Sequence, residues 1–121
     1  MGFFDALSNH AESKERHTNL TLMTHYYKTN YDKVKETVSL ACKHFNYKIS
    51  SIDDTHGEIF IKTNRFHMIV TIIQVTPRET AVDIKVETYR LFGFNKPKRL
   101  IETMYKKLNQ SLELKGKGLH P

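Results

Sequence analysis

The chain has 121 residues, 39% of them hydrophobic and 26% charged, which fits one soluble globular domain built on a single core. No apolar run approaches the roughly 20 residues that a membrane-spanning helix needs. The opening MGFFDALSNH lacks the basic start and long apolar stretch of a secretory signal, and the single Cys42 excludes an internal disulfide framework, so the composition points to a reducing, cytoplasmic setting.

The net charge of +6 is unevenly placed. Residues 90–121 hold eight of the 19 basic residues and two of the 13 acidic ones, so the C-terminal quarter carries the whole excess. Such a patch can attract phosphates or anionic surfaces, or serve only to keep a helix surface solvated.

In chain order, residues 1–18 read as a flexible N-terminal arm. Phe3, Phe4 and Leu7 make a short helical stripe, with Ala11 one turn on. A polar stretch of mixed charge then separates it from the domain. These three apolar residues are the candidate contacts for docking the arm or for an interface. Residues 20–28 predict a first strand, on the alternation of Leu20 and Leu22 with Thr21 and Met23 and on Tyr26 and Tyr27. Thr29, with Asp32 three residues later, predicts a helix start resembling a capping box. Tyr31, Val34, Val38, Ala41, Cys42 and Phe45 form one apolar stripe, and Asn46 is a natural left-handed stop.

Four strands are predicted next, over 47–53, 58–63, 66–76 and 81–90, joined by turns short enough to make a meander of antiparallel hairpins. In the last of them Val82, Ile84 and Val86 alternate with Asp83, Lys85 and Glu87, the pattern of a strand buried on one face. The strand at 66–76 is different. Met68, Val70 and Ile72 lie on one side, and Ile69, Ile73 and Val75 on the other. A strand apolar on both sides is expected to be central and covered on both. The helices supply one cover; the arm, a second copy of the chain or a ligand must supply the other.

The last helix is predicted from a cap at Asn95 and Pro97 in the first turn. Its stripe is Leu100, Ile101, Met104, Tyr105, Leu108 and Leu112. Gly116 is the expected stop, and residues 116–121 a frayed tail. The opening of this helix departs from local rules. Phe92 and Phe94 occupy a loop where polar residues are expected. Lys96, Lys98 and Arg99 then sit at the end of a helix that already carries partial positive charge. These five residues are the candidate contact for an anion or a partner.

Residues 19–115 thus predict the order strand, helix, four strands, helix. That is an α+β two-layer sandwich, with a five-stranded, mainly antiparallel sheet and both helices on one face. The order resembles the half-domain of the TATA-binding protein fold, also found in small bacterial domains of unknown function. The resemblance covers about residues 19–115 and is one of topology, so it implies a fold and transfers no functional residue. The DNA-binding version of that fold reads the minor groove with its open sheet face and wedges Phe into base steps. Here the outward positions Glu58, Phe60, Lys62, Asp83, Lys85, Glu87 and Tyr89 carry charges that cancel, and their carboxylates repel phosphate.

No catalytic, cofactor or metal constellation emerges. No two of the seven His stand at the i, i+4 spacing of metal ligands on a helix, and there is no Cys pair. Cys42 lies on a buried stripe, where a thiol acts as a small hydrophobe. Ser50, Ser51, Asp53, Asp54 and His56 crowd a hairpin, where such residues serve turn chemistry. Gly57 and Gly93 are isolated, which excludes a phosphate-cradling glycine loop of the known types. The reading is a non-enzymatic binding domain whose partner is another protein or its own copy, a homodimer. The alternative is anion or phosphate binding, on nucleic acid or an anionic membrane surface, at the start of the last helix.

Overall fold

The structure, a computed structural model, describes residues 10–12, 23–88 and 96–117. The elements run in the order β1 (His10–Glu12), β2 (His25–Tyr27), α1 (Tyr31–Phe45), β3 (Lys48–Asp53), β4 (Glu58–Lys62), β5 (Phe66–Thr76), β6 (Glu79–Thr88), α2 (Lys96–Ser111) and β7 (Leu114–Lys117). Every strand pairing is antiparallel, and the sheet order is β3-β4-β5-β6-β2-β7. β6 carries two partners along one edge. β2 lies beside its first half, with His25 opposite Val82, and β1 beside its second half, with His10 opposite Glu87. Two strands from the N-terminal part therefore share one edge of β6 end to end.

The helices form because each places apolar residues on one stripe, and the two stripes meet the same sheet face. On α1 the buried residues are Val34, Thr37, Val38, Ala41 and Cys42; on α2 they include Ile101, Met104, Tyr105 and Leu108. They pack on Ile59 and Ile61 of β4, Met68, Val70 and Ile72 of β5, and Val82, Ile84 and Val86 of β6. Cross-strand partners fill this face in layers: Ile61, Met68 and Val86 in one, Ile59, Val70 and Ile84 in the next. Each fully buried aliphatic side chain contributes about 1.5–3 kcal/mol, so this face holds the domain together.

Buried polar groups in the core are paired, as burial demands. The Tyr27 hydroxyl donates to Asn109 Oδ1 at 2.7 Å, and the Tyr105 hydroxyl donates to the Val82 carbonyl at 2.7 Å. The His25 ring stacks on Tyr105 with centroids 3.5 Å apart, and its Nδ1–H donates to the Met23 carbonyl at 2.8 Å.

The expected α+β sandwich with both helices on one face is present, with two differences in the sheet and one at a helix cap. The continuous sheet path has six strands rather than five, and β1 adds a further short strand beside β6. The sixth is β7. Gly116, expected to stop the last helix, instead lies in this strand opposite Tyr26, and the helix ends at Ser111. The free edge of β2 is the cause: its unpaired backbone groups recruit the chain leaving α2, and Lys28 N–H donates to the Glu113 carbonyl at 2.8 Å. At the start of α1 the cap is Asn30 rather than Thr29. Its side chain accepts from Lys33 N–H at 2.9 Å, while the Thr29 carbonyl is taken by the Thr80 hydroxyl at 2.8 Å. Asn46 does end α1 in the left-handed region, with φ 64°.

Candidate interaction surface

The second face of the sheet carries no helix among the described residues. Strand geometry fixes what it presents, because alternate side chains point to opposite faces. β5 is central: β6 flanks it along its length and β4 flanks it from His67 to Thr71. Its helix-side residues Met68, Val70 and Ile72 are at most 2% exposed. On the other side Ile69 is half-buried, while Ile73 is 53% exposed. Val75 falls in an irregularity of the β5–β6 pairing and is 51% exposed. Phe60, opposite Ile69, and Tyr26, opposite Ala81, extend this apolar strip onto the neighbouring strands and are half-buried. The row of Glu58, Thr71 and Asp83 divides this surface into two apolar patches, Phe60 with Ile69 and Ile73 with Ala81 and Tyr26, which differ from the scattered single apolar residues found on any surface.

Charges on the same face are ordered along the strands. Glu58 and Asp83 both sit level with Thr71, and form an acidic row. Lys85 is level with Ile69, and Lys62 with His67, with Lys48 opposite Lys62. The acidic row and the cations are thus separated by about 7–14 Å along the strands. Two of the acidic groups are engaged locally: Asp83 accepts from the Thr24 hydroxyl at 2.7 Å, and Glu87 pairs with the His67 ring at 2.8 Å.

The hairpin residues of catalytic type are structural ties. Asp53 accepts from the backbone N–H of Thr55 and His56 and pairs with the His56 ring at 2.7 Å. Asp54 accepts from the Tyr31 hydroxyl at 2.8 Å and from Lys35 Nζ at 2.9 Å, which binds the β3–β4 turn to the start of α1. The bond from Lys35, with that from Tyr31, holds the Asp54 carboxyl below its ordinary range. Burial, with Asp54 second, pushes the Tyr31 phenol up to about 12. Burial likewise pushes the Cys42 thiol up to about 11, which keeps it protonated and unreactive at neutral pH. Among the described residues no three His, Cys, Asp or Glu side chains gather as a metal site requires, and no described helix is long and apolar enough to cross a membrane.

At the start of α2, Lys98 and Arg99 are exposed, Lys96 is the first helical residue, and the first turn holds no acidic residue. Phe92 and Phe94, expected beside them, lie outside the described residues, as do Phe3, Phe4 and Leu7 of the arm. The structure therefore brings together the two-sided strand and its charged neighbours, and leaves the basic helix start without a second feature that points to a ligand. Tyr26 and Ala81 were not foreseen as part of the apolar strip; only the pairing of β2 with β6 places them there. In comparisons with known proteins, no family model matches the chain, and no curated protein or solved structure is significantly similar to it.

Proposed function

We propose that this protein is a small interaction domain that pairs with a second copy of itself through the sheet face opposite its helices. One observation carries the reading: the central strand β5 is apolar on both sides, and Ile73 on the open side is 53% exposed while Ile72 beside it is 2% exposed. A two-fold axis between two such faces, running across the strands level with Ile69, sets Ile69 and Phe60 on the partner's Ile69 and Phe60. It also lays Glu58 over the partner's Lys62. An isologous contact needs this kind of self-complementary surface, and charge matching of this kind fixes register more than it adds affinity.

Sedimentation equilibrium over micromolar concentrations tests the proposal. The wild-type chain is expected to show a concentration-dependent dimer. Ile69→Lys, which sets a charge on the axis of the contact, is expected to weaken it at least about tenfold, since burying an unpaired charge is costly. Lys62→Glu is expected to weaken pairing, and the double swap Glu58→Lys with Lys62→Glu to restore it, because only a two-fold contact inverts both partners together. A wild-type chain that stays monomeric at high micromolar concentration, with its arm closed over the strip, overturns the proposal. So does a double swap no better than the single one.

A further inference from the structure

A concavity lies at the far end of the sheet. It is a cleft of about 480 Å³ lined by Lys28, Thr29, Asn30, Thr76, Pro77, Arg78, Glu79 and Lys115. That volume is in the range of small-molecule sites, but the lining is unlike the apolar walls most such sites have. Pro77 is its one apolar side chain, and three cations face one carboxylate. Four segments build it: the residues after β2, the cap of α1, the β5–β6 turn and β7.

These walls are fixed before any ligand arrives. Thr80 Oγ1–H donates to the Thr29 carbonyl at 2.8 Å, and Lys28 N–H to the Glu113 carbonyl at 2.8 Å. Gln74 bridges the turn and the helix: its Nε2 donates to the Thr76 carbonyl at 3.1 Å, and its Oε1 accepts from Tyr31 N–H at 2.9 Å. The Arg78 N–H donates to Thr76 Oγ1 at 3.2 Å. Preorganisation of this sort lowers the cost of binding.

The cations are held differently. Lys115 Nζ bonds Glu79 Oε1 at 2.7 Å, and the Glu79 side chain is only 13% exposed, so this carboxylate positions the ammonium from the cleft floor. Lys28 Nζ is 3.3 Å from Glu113 Oε2 and well exposed. The Arg78 guanidinium has no carboxylate within ion-pairing distance among the described residues, which leaves its fork of donors to a ligand. Asn30 marks the N-terminal end of α1, so the helix dipole adds positive potential from one wall. Arg is suited to multi-oxygen anions because it donates two parallel bonds, and Lys adds point charge.

We propose that this cleft binds the phosphoryl group of a small phosphorylated molecule, with Arg78 as the principal donor and Lys28 and Lys115 flanking it. The site is separate from the open sheet face and does not rest on self-association. Titration of the ¹⁵N-labelled chain with pyrophosphate at low salt tests it, with sodium chloride at matched ionic strength as the control. Saturable shifts are expected at the amides of Lys28, Thr29, Asn30, Arg78 and Lys115. Arg78→Ala is expected to weaken pyrophosphate about tenfold or more, the usual loss for a charged hydrogen-bonding group. Arg78→Lys is expected to fall between the two, because it keeps the charge and loses the fork. Arg78 is exposed in a turn, so both variants should keep the wild-type spectrum elsewhere. Lys98→Ala with Arg99→Ala at the start of α2 is expected to change nothing. Repeating the titration with ADP separates sources of the phosphoryl group: equal affinity assigns recognition to the phosphates, and tighter ADP adds the nucleoside. No saturable shift into the millimolar range, shifts reproduced by chloride, or an Arg78→Ala chain that binds as wild type each overturn the proposal.

Discussion

Gly57→Ala is the sharpest test of how the hairpin at the head of β4 sets the sheet. Gly57 closes the β3–β4 turn with φ +69°, in the left-handed region. A Cβ built there would stand 2.1 Å from the Ile72 carbonyl oxygen, a backbone atom that cannot swing away. The same two residues are joined by a bond from Ile72 N–H to the Gly57 carbonyl at 2.7 Å. Two costs follow. The backbone conformation costs about 1–2 kcal/mol for any residue with a Cβ. Relieving the contact requires turn and strand to part, which forfeits a hydrogen bond worth about 1 kcal/mol. The expected loss is therefore about 2–3 kcal/mol, out of a typical domain stability of roughly 5–15 kcal/mol. With a urea slope of about 1–3 kcal/mol per molar, the unfolding midpoint should fall by about 1–3 M. Gly57→Asn separates the two costs. Asn enters the left-handed region more readily, as Asn46 does at φ 64°, yet it carries the same Cβ. If the contact dominates, both variants fall by similar amounts; if torsion dominates, Asn lies near wild type. A Gly57→Ala midpoint within about 0.3 M of wild type would refute the close approach on which the reasoning depends.

Two further outcomes are expected. Tyr105→Phe removes the donor to the buried Val82 carbonyl while keeping the ring under His25, and should cost about 1–2 kcal/mol in urea unfolding, with no change in the pairing of the sheet face. The Asp53–His56 pair makes a pH signature: the bond from His56 lowers the Asp53 carboxyl, and the bond to Asp53 raises the His56 imidazole above its ordinary 6.5. The imidazole's contribution is full below 6.5 and is lost as pH rises through its raised folded value. The carboxylate's is present above its unfolded value near 3.8, and is lost as pH falls through the lowered folded one. The pair is therefore strongest from about pH 4 to 6.5. NMR titration of the His56 ring should give a midpoint above 6.5 that Asp53→Asn returns towards 6.5.

Sequence made the helix layer legible because helical period is a strong signal. Val34, Val38, Ala41 and Cys42 on α1, and Ile101, Met104, Tyr105 and Leu108 on α2, are the buried residues that their spacing implies. The face of β5 that lies away from the helices was legible for the same reason, since a strand apolar on both sides has to be central. What was not legible depends on pairing between distant segments. The four residues of β7 carry no alternation to read, and the strand exists because β2 offers a free edge. β1 is three residues long and gains its identity only beside β6. The cleft is the extreme case: Lys28, Arg78 and Lys115 come from segments far apart in the chain, and no local pattern links them.

Salt separates the two proposed sites, and bears on what the basic excess of the chain is for. The sequence places that excess in one C-terminal patch, but the fold disperses it. Lys115 faces the cleft, while Lys98, Arg99 and Lys106 stand exposed on α2. Pairing through Ile69 and Phe60 rests on burial of apolar surface, which sodium chloride barely weakens; only the Glu58–Lys62 contacts are screened, as the Debye length shrinks from about 10 Å at 0.1 M to about 3 Å at 1 M. Pyrophosphate in the cleft rests almost wholly on charge. Raising sodium chloride from about 50 to 500 mM should therefore weaken pyrophosphate binding at least about tenfold and self-association by less than about fivefold. Sedimentation and NMR titration on the same samples read both. A dimer as salt-sensitive as anion binding would mean that charge, not the two-sided strand, drives the pairing, and the apolar strip would lose its assigned role.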